Sequence, residues 1–238
     1  MATTPDTAVE TFDLATEPRR ELNGRLHALA GSADPTPALW RVVNPSGAHA
    51  LAVGLDTPVT VEIEGHVGYY CAGMNKQATV RVHGNAGVGV AENMMSGTVI
   101  VEGNASQSAG ATAHGGLLVV NGDASSRCGI SMKGVDIVVR GSVGHMSAFM
   151  AQKGALVVCG DAGDALGDSI YEARLYVRGK VKDLGADCIE KEMREEHVAQ
   201  VRELLERAGV TDADPADFRR YGSARRLYNF NVDNAGEY

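Results

Sequence analysis

Residues 79–87, TVRVHGNAG, return in altered form as TVIVEGNAS at 98–106, LLVVNGDAS at 117–125, DIVVRGSVG at 136–144 and ALVVCGDAG at 155–163. Each copy begins nineteen positions after the one before it. The central glycine extends the series in both directions: Gly65, Gly84, Gly103, Gly122, Gly141, Gly160 and Gly179 mark six equal intervals without an insertion. A fixed period of this length is the signature of a stacked-repeat architecture.

Within each unit the apolar residues alternate. Four residues before the glycine stand Val61, Val80, Val99, Leu118, Ile137, Leu156 and Leu175, and two before it Ile63, Val82, Val101, Val120, Val139, Val158 and Val177. Two residues after it come Val67, Ala86, Ala105, Ala124, Val143, Ala162 and Val181. A period of two is that of a half-buried strand, so each unit reads as a short strand ending at a glycine corner. The residue just before the glycine is mostly polar (Glu64, His83, Glu102, Asn121, Arg140, Cys159, Arg178) and faces outward.

One coil of this kind buries too little apolar surface to offset the ordering of its own backbone, so the coils must stack. Stacking at about 4.8 Å per coil gives a parallel β-helix about 30 Å long. Left-handed hexapeptide helices need coils in multiples of six, and a period of nineteen is not one. The expected fold is therefore an all-β, right-handed parallel β-helix, and the usual acyltransferase reading of such tubes is excluded. The corner glycines are expected at positive φ, with Gly68, Gly87, Gly144, Gly163, Gly110, Gly129 and Gly167 marking further corners or close backbone approaches.

Outward from this core, residues 1–40 read as an N-terminal arm with a short helix begun near Thr16 and Pro18, carrying Leu22, Leu26 and Leu29 at helical spacing. Residues 41–187 form the β-helix domain, with an irregular capping coil over 41–58. Residues 188–238 hold a helix expected over 188–208, with Ile189, Met193, Val201, Leu204 and Leu205 near one face, and an aromatic tail with Phe218, Tyr221, Tyr228, Phe230 and Tyr238 that must dock somewhere.

Composition narrows the function. The 238 residues carry 22 Lys and Arg against 30 Asp and Glu, a net charge of −8 that disfavours nucleic acid and anionic lipid as partners. No basic start with an apolar stretch marks an export signal, and no run is long enough to span a bilayer, so the expected compartment is the cytoplasm. The four cysteines, Cys71, Cys128, Cys159 and Cys188, lack a Cys-x-x-Cys spacing and read as reduced thiols. GNAGVG at 84–89 is not the dinucleotide fingerprint, since it lies inside the repeat and opens no helix. His66, His83, His114 and His145 sit at unrelated offsets and form no ladder of metal ligands. A disulfide between Cys71 and Cys128, three coils apart, is not expected.

Two features break the pattern. Three residues before the corner glycine, where side chains point outward, stand Glu62 and Arg81 and then Ile100, Val119, Val138, Val157 and Tyr176. This apolar stripe requires a cover, either the chain's own terminal helices or another subunit. Met74, Met94, Met95, Met132 and Met150 cluster nine to eleven residues after the glycine, beside Lys76, Asn93, His114, Lys133 and Gln152. They either fill the tube or form a recognition face, which Asp168, Tyr171, Glu172 and Asp187 extend into later coils. The candidate interface is thus Ile100, Val119, Val138, Val157, Tyr176, Met94, Met95, Lys133, Asp168, Tyr171 and Glu172.

The ordered series GMN at 73–75, GNAGVGVAENMMSG at 84–97, GNASQSAGATAHGG at 103–116, SRCGISMKG at 126–134 and GDSIYEA at 167–173 resembles the GXGXG domain at the C-terminus of the glutamate synthase large chain. A free-standing chain of this kind is similar to the B subunit of N-methylglutamate synthase, also called methylamine–glutamate N-methyltransferase. The resemblance implies a scaffold with no catalytic, cofactor-binding or metal-binding residue of its own. It also implies two partners, an amidotransferase-like subunit and a subunit holding FMN and an iron–sulfur cluster. Three alternatives stay open: the equivalent subunit of a glutamate-synthase-like complex, a formylmethanofuran dehydrogenase C-type subunit, and a stand-alone β-helix enzyme acting on saccharides.

Overall fold

The computed structural model describes residues 9–225. Tyr228, Phe230 and Tyr238 of the aromatic tail lie outside the described residues. Seven strands carry the repeat: β3 (Thr60–Ile63), β4 (Thr79–Val82), β5 (Thr98–Val101), β6 (Leu117–Val120), β7 (Lys133–Val139), β8 (Lys153–Val158) and β9 (Arg174–Val177). They stack in parallel in sequence order, Val61 on Val80 on Val99 on Leu118 on Ile137 on Leu156 on Leu175. A second ladder joins Val67, Ala86, Ala105, Ala124, Val143, Ala162 and Val181, so each coil touches its neighbours along two faces. All three aliphatic columns are buried apart from the partly buried Val181 at the last coil. The fold is the parallel β-solenoid that the alternation within each unit and the constant glycine spacing predict.

The sheet extends past the repeat at both ends. β1 (Val9–Asp13) pairs with β2 (Leu39–Val43), and β2 pairs with β3, Trp40 lying against Val61. Between β1 and β2 the chain leaves the sheet to form α1 (Arg19–His27), whose Leu22 and Leu26 are buried in the tube's own core beside Phe12. α1 thus closes the N-terminal opening, where interior aliphatics would otherwise meet water. At the other end β11 (Arg219–Ser223) pairs antiparallel with β9, and β10 (Cys188–Lys191) pairs antiparallel with β11. A reversal of strand direction ends the parallel stack.

The corner glycines correct one expectation. Only Gly65 of the seven has a left-handed φ, +134°. The other six are glycine because successive coils approach too closely for a side chain. A Cβ on Gly141 would lie 2.7 Å from the Gly122 carbonyl oxygen and closer still to Asp123 Oδ1. That Asp123 oxygen accepts the Ser142 N–H at 2.7 Å, one rung of a ladder. Asn85 N–H donates to His66 Nδ1, Asn104 N–H to Asn85 Oδ1, Asp123 N–H to Asn104 Oδ1, Asp161 N–H to Ser142 Oγ and Lys180 N–H to Asp161 Oδ1. The polar residue after each glycine therefore holds the corner of the next coil.

The third side of each coil has a backbone that strand alternation does not foreshadow. Residues five, seven and nine past the corner glycine are left-handed: Tyr70, Ala72 and Met74, then Gly89, Ala91 and Asn93, then Ser108, Gly110 and Thr112, continuing to Ala165, Gly167 and Ser169. Tyr70 N–H donates to Val88 O in the following coil, Ala72 N–H to Leu51 O in the preceding one, and Met74 N–H to Glu92 O in the following one. Left-handed conformation costs a non-glycine residue about 1–2 kcal/mol. Bonding alternately up and down the stack offsets that cost by leaving no orphan donor in a buried segment.

The expected C-terminal helix is shorter than its apolar spacing suggests. α2 spans Glu195–Arg207, because residues 188–191 are recruited as β10, and Ile189 projects from that strand to solvent.

Candidate functional site

The outward face of the sheet divides in two. On β3 and β4 it is ionic: Arg81 reaches Glu62 at 3.8 Å and forms a closer pair with Glu102, which also accepts from Asn121 Nδ2 at 2.6 Å. From β6 to β9 it is dry. Leu117, Val119, Val138, Ala155, Val157 and Tyr176 pack against Val201, Leu204 and Leu205 of α2, with Val210 and Phe218 beyond. The apolar stripe is covered by the chain's own helix. Val138, Val157 and Tyr176 are fully buried there and offer no surface to a partner, while Ile100 sits partly buried at the seam's edge.

Polar clamps fix the seam. Tyr176 Oη donates to Gln200 Oε1 on α2 at 2.7 Å, and burial raises the tyrosine pKa. Arg140 Nη2 donates to both carboxylate oxygens of Asp212 at 3.1 Å, and Arg178 Nη1 donates to the Asp212 carbonyl at 3.3 Å. These arginines occupy the polar position before the corner glycine. That position therefore anchors the segment after α2.

The methionine cluster splits by parity. Met94 and Met132, ten residues after the corner glycine, are fully buried and fill the tube. Met74, Met95 and Met150 stand 47%, 47% and 39% exposed, joined by Tyr69 at 59% and Val88 at 38%. The alternating left-handed backbone produces this separation, since it sends Cys71 and Asn75 inward and Met74 outward. Lys133 lies at the start of β7, partly buried.

Asp168, Tyr171, Glu172 and Asp187 lie in the last coils but do not act as one set. Asp168 accepts from Ser169 Oγ at 2.8 Å and from the Ala186 N–H at 3.2 Å, Asp187 is paired with Arg225, and Glu172 is exposed beside Arg174. The histidines are similarly dispersed in role: His66 Nδ1 serves the corner ladder, His83 pairs with Glu62, and His49 stacks on Tyr69 at 4.3 Å. Among the described residues no group of three His, Cys, Asp or Glu side chains is placed to hold a metal ion. No described helix is long and apolar enough to cross a membrane.

The sequence is 66% identical to protein GlxC of Rhizobium meliloti (strain 1021) over 228 residues, 95% of this chain and 99% of that protein. The chain belongs to the GlxC family. No protein-family model matches it. Its Gly-cornered coils are consistent with a glutamate-synthase-like GXGXG relationship for this family.

In this GlxC-family chain the thiols are not poised for chemistry. All four cysteines are free and buried; burial pushes Cys71 and Cys128 up to about 12 and Cys188 up to about 11, and raises Cys159. The thiolate is the reactive form, so at pH 8 a maleimide should label neither Cys71 nor Cys128 in the native chain and all four thiols after denaturation, read by intact mass. Rapid native labelling of either would mean that the coils open.

Proposed function

We propose that this GlxC-family chain is the scaffold subunit of an N-methylglutamate-synthase-type complex, holding an amidotransferase-like subunit and an FMN- and iron–sulfur-bearing subunit in fixed register. The assembled complex would convert glutamate and methylamine to N-methylglutamate and ammonia. The observation that carries the reading is the exposed Tyr69, Met74, Val88, Met95 and Met150 on a tube whose every coil is locked to its neighbours. Flexible methionines adapt to a partner surface, and a rigid support keeps the docked active sites at a constant separation. The motif series that resembles the glutamate synthase domain supplies the partners' identity.

Reconstitution tests it. The three purified subunits together should form a stable complex that makes N-methylglutamate, and omitting this chain should abolish the assembly. Turnover by the two catalytic subunits without this chain, at the rate of the full set, would overturn the scaffold role. Glutamate formation from ammonia in place of methylamine turnover would shift the assignment to the glutamate-synthase-like alternative.

A further inference from the structure

At the C-terminal end of the tube, basic side chains converge from three adjacent strands. Tyr176 of β9, Arg220 of β11 and Lys191 of β10 form one cross-strand row, and cross-strand partners share a face of the sheet. Arg174, two residues before Tyr176, lies on that face as well. Like charges placed directly opposite one another weaken a sheet, yet Lys191 and Arg220 are direct partners. Lys191 has no ion pair among the described residues.

Arg220 is under-satisfied. Its Nε is buried with no acceptor among the described residues. Its Nη1 lies 2.6 Å from His197 Nε2, but His197 Nδ1 accepts the Arg194 N–H at 3.1 Å. A neutral imidazole accepts at one nitrogen only, so the Arg194 N–H and the Arg220 guanidinium compete for it, with Glu196 Oε1 3.5 Å from Nε2. Burial lowers the Arg220 pKa most; Tyr176 opposes that shift, Arg174 and Arg194 add to it, and Glu196 opposes it weakly.

Arg220, Lys191 and Arg174 border a cavity of about 260 Å³, with Arg225 and Glu172 also in its wall. Its volume lies just below the roughly 300–1,000 Å³ of drug-sized ligand sites, room for a small ion. Gly222 lines it too, and its lack of a side chain has no local cause. Its φ is not left-handed, and a Cβ there would meet nothing closer than Lys191 Cδ at 3.7 Å. A side chain longer than alanine at this position would project into the cavity.

We propose that this cavity binds a small oxyanion, a carboxylate or a phosphate, between Arg220, Lys191 and Arg174 above Gly222. An oxyanion seated beside Arg220, Lys191 and Arg174 offsets the like-charge repulsion along the row, and charge-assisted bonds of this kind are among the stronger ones. The inference is independent of the scaffold reading, because it concerns a ligand of the isolated chain.

Calorimetric titration of the full chain with citrate and with inorganic phosphate, at ionic strength matched by sodium chloride, tests it. At least one should bind saturably at one site; a tenfold preference tells a carboxylate from a phosphate ligand. Arg220→Gln and Lys191→Gln should each weaken binding about tenfold or more. Gly222→Leu should abolish it while leaving the urea midpoint nearly unchanged. Burial lowers the His197 pKa most, Arg220, Arg174 and Arg194 lower it further and Glu196 opposes them, with Tyr176 facing the same ring; a bound anion that offsets the arginine charge should therefore raise the His197 titration followed by NMR. No saturable binding beyond the chloride control, or binding unchanged in folded Gly222→Leu and Lys191→Gln, would overturn the proposal.

Discussion

Val138→Glu should detach α2 from the tube, at a cost of about 3–5 kcal/mol, the usual penalty for an uncompensated buried charge. Val138 is fully buried in the seam with Val119, Val157, Leu204 and Leu205, and the cations that flank it on the same face, Arg140 and Arg207, are engaged by Asp212 and Asp136. The protein relieves the charge either by protonating the carboxyl, itself still a buried polar group without a partner, or by opening the seam, which loosens the Tyr176–Gln200 clamp. Amide exchange over residues 195–207 should accelerate before that of the coils, and the urea midpoint should fall. Val138→Ala, which removes volume without charge, should cost about 2 kcal/mol and leave α2 docked. Unchanged exchange in α2 after the glutamate substitution would show that another subunit, and not this helix, is the stripe's cover.

Gly141→Val should destabilise the chain by about 3 kcal/mol or more, as overpacking against atoms that cannot rotate away. The obstructing Gly122 carbonyl is backbone, and the same new side chain would displace Asp123 Oδ1 from the Ser142 N–H. A contrast isolates the mechanism. Gly24 lies in α1 with nothing within 4 Å of where a Cβ would stand, so Gly24→Ala should stabilise by up to about 1 kcal/mol through helix propensity alone. Equal and small effects at both sites, measured by urea denaturation, would mean that the coils breathe enough to absorb a side chain.

The exposed methionines and the anion site are legible in the sequence to different degrees. Met94 and Met95 both stand in repeat columns, and the sequence groups them without separating core from surface. Neither can be assigned from spacing, since the period of two does not hold on the coil side where left-handed residues alternate. Arg220 and Lys191 are beyond reach. They lie far apart in the chain, outside the repeat, and meet only because β11 inserts between β9 and β10. The signal that hints at them is the density of basic residues in FRRYGSARR at 218–226.

Residue order sufficed for the solenoid: a side-chain pattern with one constant period leaves one way to bury every aliphatic column, and the stack follows from local alternation and coil length. Three things waited on the folded chain: why the corners are glycine, what covers the stripe, and how the tube is closed. Those depend on approaches between residues distant in the chain, such as Gly122 O against Gly141, α2 against β6 to β9, and Asn23 of α1 against Ala50 and Ala52. Periodicity records which side of a strand is dry; it carries no information about which surface makes it dry.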